Sequence, residues 1–330
     1  MSIALRSRRR KTSQNISSAS GQYDIKFPGG NMHEAWRFAV LVRILELIHT
    51  CLRQNIILTK RDLFYRHPAL FGTQDVVDRY VDDLACTFGV SRSSLGVTAS
   101  ARGLIAGSFL IKRLDVTISD GLACRDGLII NGLKHGESID NTRVTWVLVI
   151  EKEATFRSLA SSCFWDNICE GGIIITGRGY PDLETRRFLR SICTPTIENG
   201  YSQPPVYAIV DFDPDGLCIM STYKIGSAAL THEDAVKVPY LRWLGLKIEH
   251  IVNGQDTHAE EGLLVLTSRD RHKAMCMLQS HSMKNSWRRD LQLMLFLNQK
   301  AEIQMVDSVP GGLISLLRRE LGLVNEFKTM

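Results

Sequence analysis

From Trp36 onward, apolar side chains return every third or fourth position, at Trp36, Val40, Ile44, Leu47, Ile48 and Cys51. That spacing predicts an amphipathic helix of about five turns. Thr59 is a candidate N-cap for a short helix opening at Lys60. A third helix is predicted over 74–88, with Val77, Tyr80, Val81, Leu84 and Phe88 on one face. Three helices joined by short turns suggest a helix-turn-helix core. The alternating, glycine-punctuated stretch from Ser91 to Asn131 follows as a β wing would. After Asp140 the pattern changes. Val147–Ile150, Ile173–Thr176 and Val206–Val210 are continuous β-branched runs, each followed by a turn and a helical stretch. Such runs predict a parallel sheet buried on both faces. The expected architecture is a winged-helix domain over 27–140 followed by an α/β domain over 141–330.

Residues 1–26 lack apolar periodicity and combine a basic cluster with several serines, so a disordered tail is expected there. The cluster from Arg6 to Lys11 fits a nuclear address or an auxiliary phosphate contact, and equally a solvated tail that nothing reads. The chain has 330 residues, 44% hydrophobic and 23% charged, which excludes a disordered or collagen-like protein. The formal charge of +5 is a weak clue to function, because residues 1–30 carry all of the excess. The remaining chain is balanced, so any basic face must arise by segregation of charge. No apolar run approaches the ~18–20 residues of a membrane span, and the N-terminus lacks a secretion signal. A soluble intracellular protein with no membrane partner is expected. Eight scattered cysteines form no Cys-x-x-Cys pair, so they are expected to be mostly small, reduced core residues.

Acids stand where two of the predicted strands end. Val147–Ile150 runs into Glu151, and Val206–Val210 runs into Asp211-Phe212-Asp213-Pro214-Asp215-Gly216. In open parallel sheets, ligands sit beyond the carboxyl ends of the strands. Hard oxygen donors gathered there suit Mg²⁺, shared with substrate phosphates. Glu151 alone reads more naturally as a solvated strand end. The clustered aspartates repel one another unless a cation or solvent compensates. A calcium helix-loop-helix is excluded, because the loop would need Glu where Thr222 stands and should follow a helix. The third strand end, Gly177-Arg178-Gly179-Tyr180-Pro181-Asp182, reads as a tight turn. A helix starting near Asp182 could also offer its N-terminus to an anion.

The short helix reads Lys60-Arg61-Asp62-Leu63-Phe64-Tyr65-Arg66-His67, with Arg61 and Tyr65 four residues apart on one face. A phenol with a pKa near ~10 is a poor nucleophile at neutral pH. A guanidinium one turn away can hold a phosphate against the hydroxyl and offset charge in the transition state. Attack by Tyr on a phosphodiester would keep the bond energy in a phosphotyrosyl link. Residue chemistry alone does not single out Tyr65 from eight tyrosines. His67 lies off this face and is assigned no catalytic role.

Five blocks then stand in order: Arg61-Asp62-Leu63-Phe64-Tyr65; Val149-Ile150-Glu151-Lys152-Glu153-Ala154; Gly177-Arg178-Gly179-Tyr180-Pro181-Asp182; Asp211-Phe212-Asp213-Pro214-Asp215-Gly216; and Lys300-Ala301-Glu302-Ile303. With them the chain, from about Trp36 onward, resembles the A subunit of topoisomerase VI and its eukaryotic relative, the meiotic DNA double-strand-break transesterase. The resemblance implies a winged-helix domain carrying the tyrosine, then a toprim domain carrying metal acids. It implies that Tyr65 is the nucleophile and Arg61 its catalytic neighbour, with Glu151, Asp211 and Asp213 as Mg²⁺ ligands. Asp215 falls outside that ligand set. Arg102 stands where the family usually has Lys in the wing, and both residues bind phosphate. Arg102 and Lys60 are therefore candidate DNA contacts.

The resemblance further implies double-stranded DNA as substrate, a homodimer, a topoisomerase VI B-like partner, further break-forming accessory proteins and a nuclear location. No Gly-x-x-x-x-Gly-Lys-[Ser/Thr] run occurs, so an ATP-driven gate would belong to a partner. The reading is Mg²⁺-dependent cleavage that leaves 5′-phosphotyrosyl ends to initiate meiotic recombination. Alternatives are a topoisomerase of this type that cuts and reseals, a catalytically silent DNA-binding or scaffolding paralogue, and a hydrolytic toprim nuclease that leaves Tyr65 without a role.

Overall fold

The computed structural model describes residues 1–6, 21–54, 56–98, 102–133, 136–197, 199–226, 236–252, 263–279, 283–308 and 312–321. The chain divides into two compact units, one of residues 1–100 with 226–235, the other of 101–225 with 236–330. None of the described helices is long and apolar enough to cross a membrane.

The first unit is built on the Met32–Gln54 helix. Val40, Leu41, Ile44 and Ile48 are buried against Leu63, Phe71, Val77, Tyr80, Val81 and Leu84 of the helices that follow. Those helices are Lys60–Arg66, Pro68–Phe71 and Gln74–Phe88. The predicted faces hold with one exception. Phe88 is 58% exposed, because the helix ends there at Gly89 in the left-handed conformation and its last turn overruns the core.

The expectation of a disordered N-terminus fails for the residues described. Ser2–Arg6 and Gln22–Lys26 pair as antiparallel strands, and Leu5 and Ile25 enter the helical core at 1% and 3% exposure. The reason is a period of two rather than 3.6: Ile3 and Leu5, like Tyr23 and Ile25, are spaced two apart along their strands. Of the basic cluster, Arg8 to Lys11 lie outside the described residues.

The second unit holds a six-stranded sheet. In spatial order it runs Arg242–Gly245, Val206–Ile209, Trp146–Ile150, Gly172–Thr176, Leu104–Gly107, Leu128–Ile129. The first four strands are mutually parallel and the last two are added antiparallel. The predicted β-branched runs are therefore the buried centre. Along the Trp146–Ile150 strand, Val147 and Val149 enter one core while Trp146, Leu148 and Ile150 enter another. Helices Leu183–Ile192 and Pro214–Lys224 cover the first face, and Glu153–Ala160, Cys163–Ile168 and Gly312–Leu321 the second.

The stretch expected as a wing is placed differently. Leu104–Gly107 and Leu128–Ile129 extend the central sheet, because the edge of the Gly172–Thr176 strand offers backbone partners there. Leu110–Lys112, Ile118–Asp120 and Ser138–Asp140 form a separate three-stranded antiparallel sheet. The compact division thus falls at 100/101 rather than near 140. The cysteines also depart from expectation. All eight are free, but only Cys51 and Cys193 are buried, and Cys163 and Cys276 are exposed.

Leu5→Ala should lower the stability of the first unit by about 2–5 kcal/mol, the usual cost of emptying a leucine site. Urea unfolding monitored by circular dichroism measures it, and a disordered N-terminus would give no change.

Candidate active site

The helix carrying Tyr65 is set by its first residues. Thr59 Oγ1 accepts from the Asp62 backbone N–H at 3.1 Å, and Asp62 Oδ2 accepts from the Thr59 N–H at 2.9 Å. This capping box satisfies end groups that the helix cannot satisfy itself. The bonds from Thr59 hold the Asp62 carboxyl below its usual range. Leu63, fully buried, pins the opposite face. The fixed helix leaves Tyr65 59% exposed, with Arg61 Nη2 and Nε donating to its hydroxyl oxygen at 3.3 and 3.4 Å. Two guanidinium donors aimed at one phenolic oxygen stabilise negative charge arising there.

Lys60 does something other than expected. It is only 8% exposed, and its ammonium sits 2.7 Å from Asp82 Oδ1, which Arg92 also reaches at 2.5 Å. Burial, and then the Arg92 charge, lower its pKa. Its charge is used inside the unit, because an unpaired Asp82 would cost several kcal/mol of desolvation. Arg102 is exposed, while its backbone N–H donates to Asp182 Oδ2 at 2.9 Å. The other Asp182 oxygen accepts from Thr185 N–H at 2.7 Å and caps the Leu183–Ile192 helix. That N-terminus is filled by its own carboxylate, so the anion reading for it fails.

In the second unit the carboxyl ends of adjacent parallel strands bring Glu151 and Asp211 together. Glu151 Oε2 accepts from the Asp211 backbone N–H at 2.9 Å. Asp211 Oδ1 accepts from Ile303 N–H at 2.8 Å, and its other oxygen lies 3.0 Å from Lys152 Nζ. Asp213 caps the Pro214–Lys224 helix, accepting from Gly216 N–H at 2.6 Å. Gly216 has to be glycine, since a Cβ there would lie 2.4 Å from the Asp211 carbonyl oxygen. The glycine turn after Thr176 supports the same corner, with Gly179 N–H donating to the Glu151 carbonyl at 2.9 Å. Arg178 and Gly179 both have positive φ.

The electrostatics are those of crowded acids. Burial, and then the Asp211 charge, push the Glu151 carboxyl up to about 8. Burial raises Asp211 against the pull of the Ile303 N–H and Lys152. Burial also raises Asp213, with the charges of Asp211 and Asp215 adding to it. Asp215 differs: against burial, hydrogen bonds from Lys273 and Tyr180 hold its carboxyl below the usual range. Its carboxylate is engaged there, in keeping with its place outside the ligand set.

Among the described residues no three His, Cys, Asp or Glu side chains converge closely enough to hold a metal ion. The donor chemistry still fits a divalent cation. Mg²⁺ is commonly held by one or two carboxylates, with waters and substrate phosphates completing its shell. Glu151 and Asp211 are two such buried acids side by side, and burial disfavours the charged form of each even with Lys152 beside Asp211.

Two residues of the corner, Lys152 and Glu302, have no role that sequence reasoning assigned. Lys152 Nζ lies within 3.0 Å of Asp211 Oδ2, Glu302 Oε2 and Gln304 Oε1, so one ammonium gathers oxygens from two distant parts of the chain. The available signal was a lysine directly after a strand-end acid.

Residues 146–312 match the family model for the Toprim domain of Spo11 and the topoisomerase 6 A subunit, and residues 36–97 match the model for type IIB DNA topoisomerase. These matches define a topoisomerase-like, DNA-cleaving enzyme, and a Toprim domain binds divalent metal. The meiotic recombination protein rec12 of Schizosaccharomyces pombe is 36% identical over 281 residues, covering 83% of this chain and 74% of that protein. The human meiotic recombination protein SPO11 is 31% identical, covering 88% and 72%. The A subunit of DNA topoisomerase 6 from Arabidopsis thaliana is 32% identical, covering 85% and 64%. The chain belongs to the family formed by Spo11 and the topoisomerase 6 A subunits.

Two substitutions separate structural from functional roles here. Thr59→Ala should cost about 1 kcal/mol through the lost cap, read by thermal unfolding. Lys60→Met should destabilise the first unit while leaving the salt dependence of DNA binding unchanged, since a phosphate contact would reduce that slope by about one.

Proposed function

We propose that this protein cleaves double-stranded DNA by tyrosine transesterification and so initiates meiotic recombination. The observation that supports this most directly is the exposed Tyr65 hydroxyl under two Arg61 donors at 3.3 and 3.4 Å. In this reading the Tyr65 oxygen attacks a backbone phosphorus and its proton is released. The bond from phosphorus to the 3′ oxygen breaks, and that oxygen leaves as a protonated hydroxyl. The 5′ end stays on the tyrosine, and no bond energy is lost to water. Arg61 orients the phosphate and offsets charge as it builds. Glu151 and Asp211, with Asp213 beside them and substrate phosphates completing the shell, would hold Mg²⁺, which when bound would supply Lewis-acid stabilisation of the phosphoryl and leaving oxygens. Lys152 keeps Asp211 in place beside Glu302. The helices over 32–88 serve as the helix-turn-helix part of a winged-helix domain, and Arg102 contacts DNA phosphate.

A homodimer places two such centres on the two strands and gives a double-strand break. The reading also includes a topoisomerase VI B-type partner, further break-forming accessory proteins and a nuclear location, since relatives at 31–36% identity are named for meiotic recombination. An enzyme that cuts and reseals is the second reading, favoured by the likeness to the plant topoisomerase 6 protein. The shares of length covered, 74% for rec12 against 64% for the plant protein, favour the meiotic one. Relaxation of supercoiled DNA together with a partner ATPase would reverse the preference.

Tyr65→Phe should abolish recovery of protein-linked DNA ends while DNA binding survives. Persistent covalent product in that variant removes Tyr65 from its role. Asp211→Asn and Asp213→Asn should each raise the Mg²⁺ concentration needed for cleavage, because each removes one ligand charge. Normal cleavage by both at limiting Mg²⁺ would mean that the metal site lies elsewhere.

A further inference from the structure

The edge strand Arg242–Gly245 borders a cavity of about 520 Å³, within the range of about 300–1,000 Å³ usual for ligand sites. Five cations line it: Lys224, Arg242, Lys247, Lys284 and Arg289. The acids lining it are Glu249 and Asp290, and Glu249 pairs with Lys247 at 3.4 Å. In a chain whose folded part is balanced in charge, this is strong local segregation. The first turn of the Asn285–Leu297 helix also lines the cavity, through Ser286 and Trp287. That turn contains no acid, and Lys284 at the N-cap makes no side-chain cap, so the helix end adds positive potential, partly offset by Asp290 one turn further on. The indole N–H of Trp243, another lining residue, is buried and has no partner among the described residues.

We propose that this cavity binds a phosphate-bearing anion of nucleotide size, at a site distinct from the candidate metal acids. Lys224 ends the helix that Asp213 caps, so the two lie roughly 15 Å apart along one helix of eleven residues. Lys224, only 8% exposed, donates to the Leu241 carbonyl oxygen and lies against the Lys284 side chain, so two ammonium groups meet at the cavity wall. Burial, and then the Lys284 charge, bring its pKa down to about 8, and an anion bound beside both lysines would offset that charge repulsion. Lys284, Arg242 and Arg289 are exposed, so their charges face an entering anion. The phosphate could belong to a free nucleotide or to a nucleic-acid backbone.

The test uses the full chain carrying Tyr65→Phe, in buffer without Mg²⁺, so that its outcome does not depend on cleavage or on the metal site. Calorimetry with sodium pyrophosphate and ATP, and fluorescence anisotropy with a short DNA duplex, compare it with Lys284→Glu/Arg289→Glu. Neither of these side chains is buried, so the fold should survive; Lys224→Met acts as a second variant. A free-nucleotide site predicts ATP or pyrophosphate binding that weakens at least tenfold in both variants, and that tightens in Asp290→Asn. A backbone site predicts that the duplex is bound with a salt slope reduced by about two in the double variant, with ATP not bound. If neither the anions nor the duplex respond to these substitutions, the cavity is not a phosphate site.

Discussion

The second unit depends on two acids being held side by side at the carboxyl edge of a buried sheet. Glu151 is fixed by accepting the Asp211 N–H, and Asp211 by accepting the Ile303 N–H. Neither bond removes the cost of two buried negative charges, and burial with the Asp211 charge still disfavours the charged form of Glu151. Around this pair the chain supplies Lys152 as a tethered cation, a glycine turn bonded to the Glu151 carbonyl, and a helix start capped by Asp213. Each feature limits how far the acids can move apart. A crowded acid pair is tolerable in a folded protein when a mobile cation can complete it.

The first unit solves a different problem, keeping a reactive hydroxyl exposed on a rigid support. Tyr65 and Arg61 are separated by one helical turn, so their contact needs only that the turn be helical. The Thr59–Asp62 capping box and the buried Leu63 ensure this. Lys60 contributes from underneath by pairing with Asp82. A residue that looks from its neighbours like a surface cation is part of the foundation of the helix.

Charge is sorted within the second unit in a way that net charge hides. Acids collect at one end of the Pro214–Lys224 helix and cations at the other. The helix dipole favours an acid at its start and a lysine at its end, which offsets part of the cost of gathering like charges at each end.

By itself the sequence determined the elements whose causes are local. These include the helix from Lys60 with its Thr59 cap, the faces of the Gln74–Phe88 helix, and the β-branched strands that end in Glu151 and Asp211. Five ordered blocks also carried the family. Only the tertiary structure decided the rest, because the deciding partners are far away in the chain. The strands at Leu104–Gly107 and Leu128–Ile129 joined the central sheet because a neighbouring strand had an open edge. Ser2–Arg6 became a strand because Gln22–Lys26 and a helical core were there to receive it. Lys60 turned inward to an aspartate 22 positions on, and Lys152 reached a glutamate 150 positions on. Periodicity records which way a side chain faces, but it does not record which distant charge it will meet.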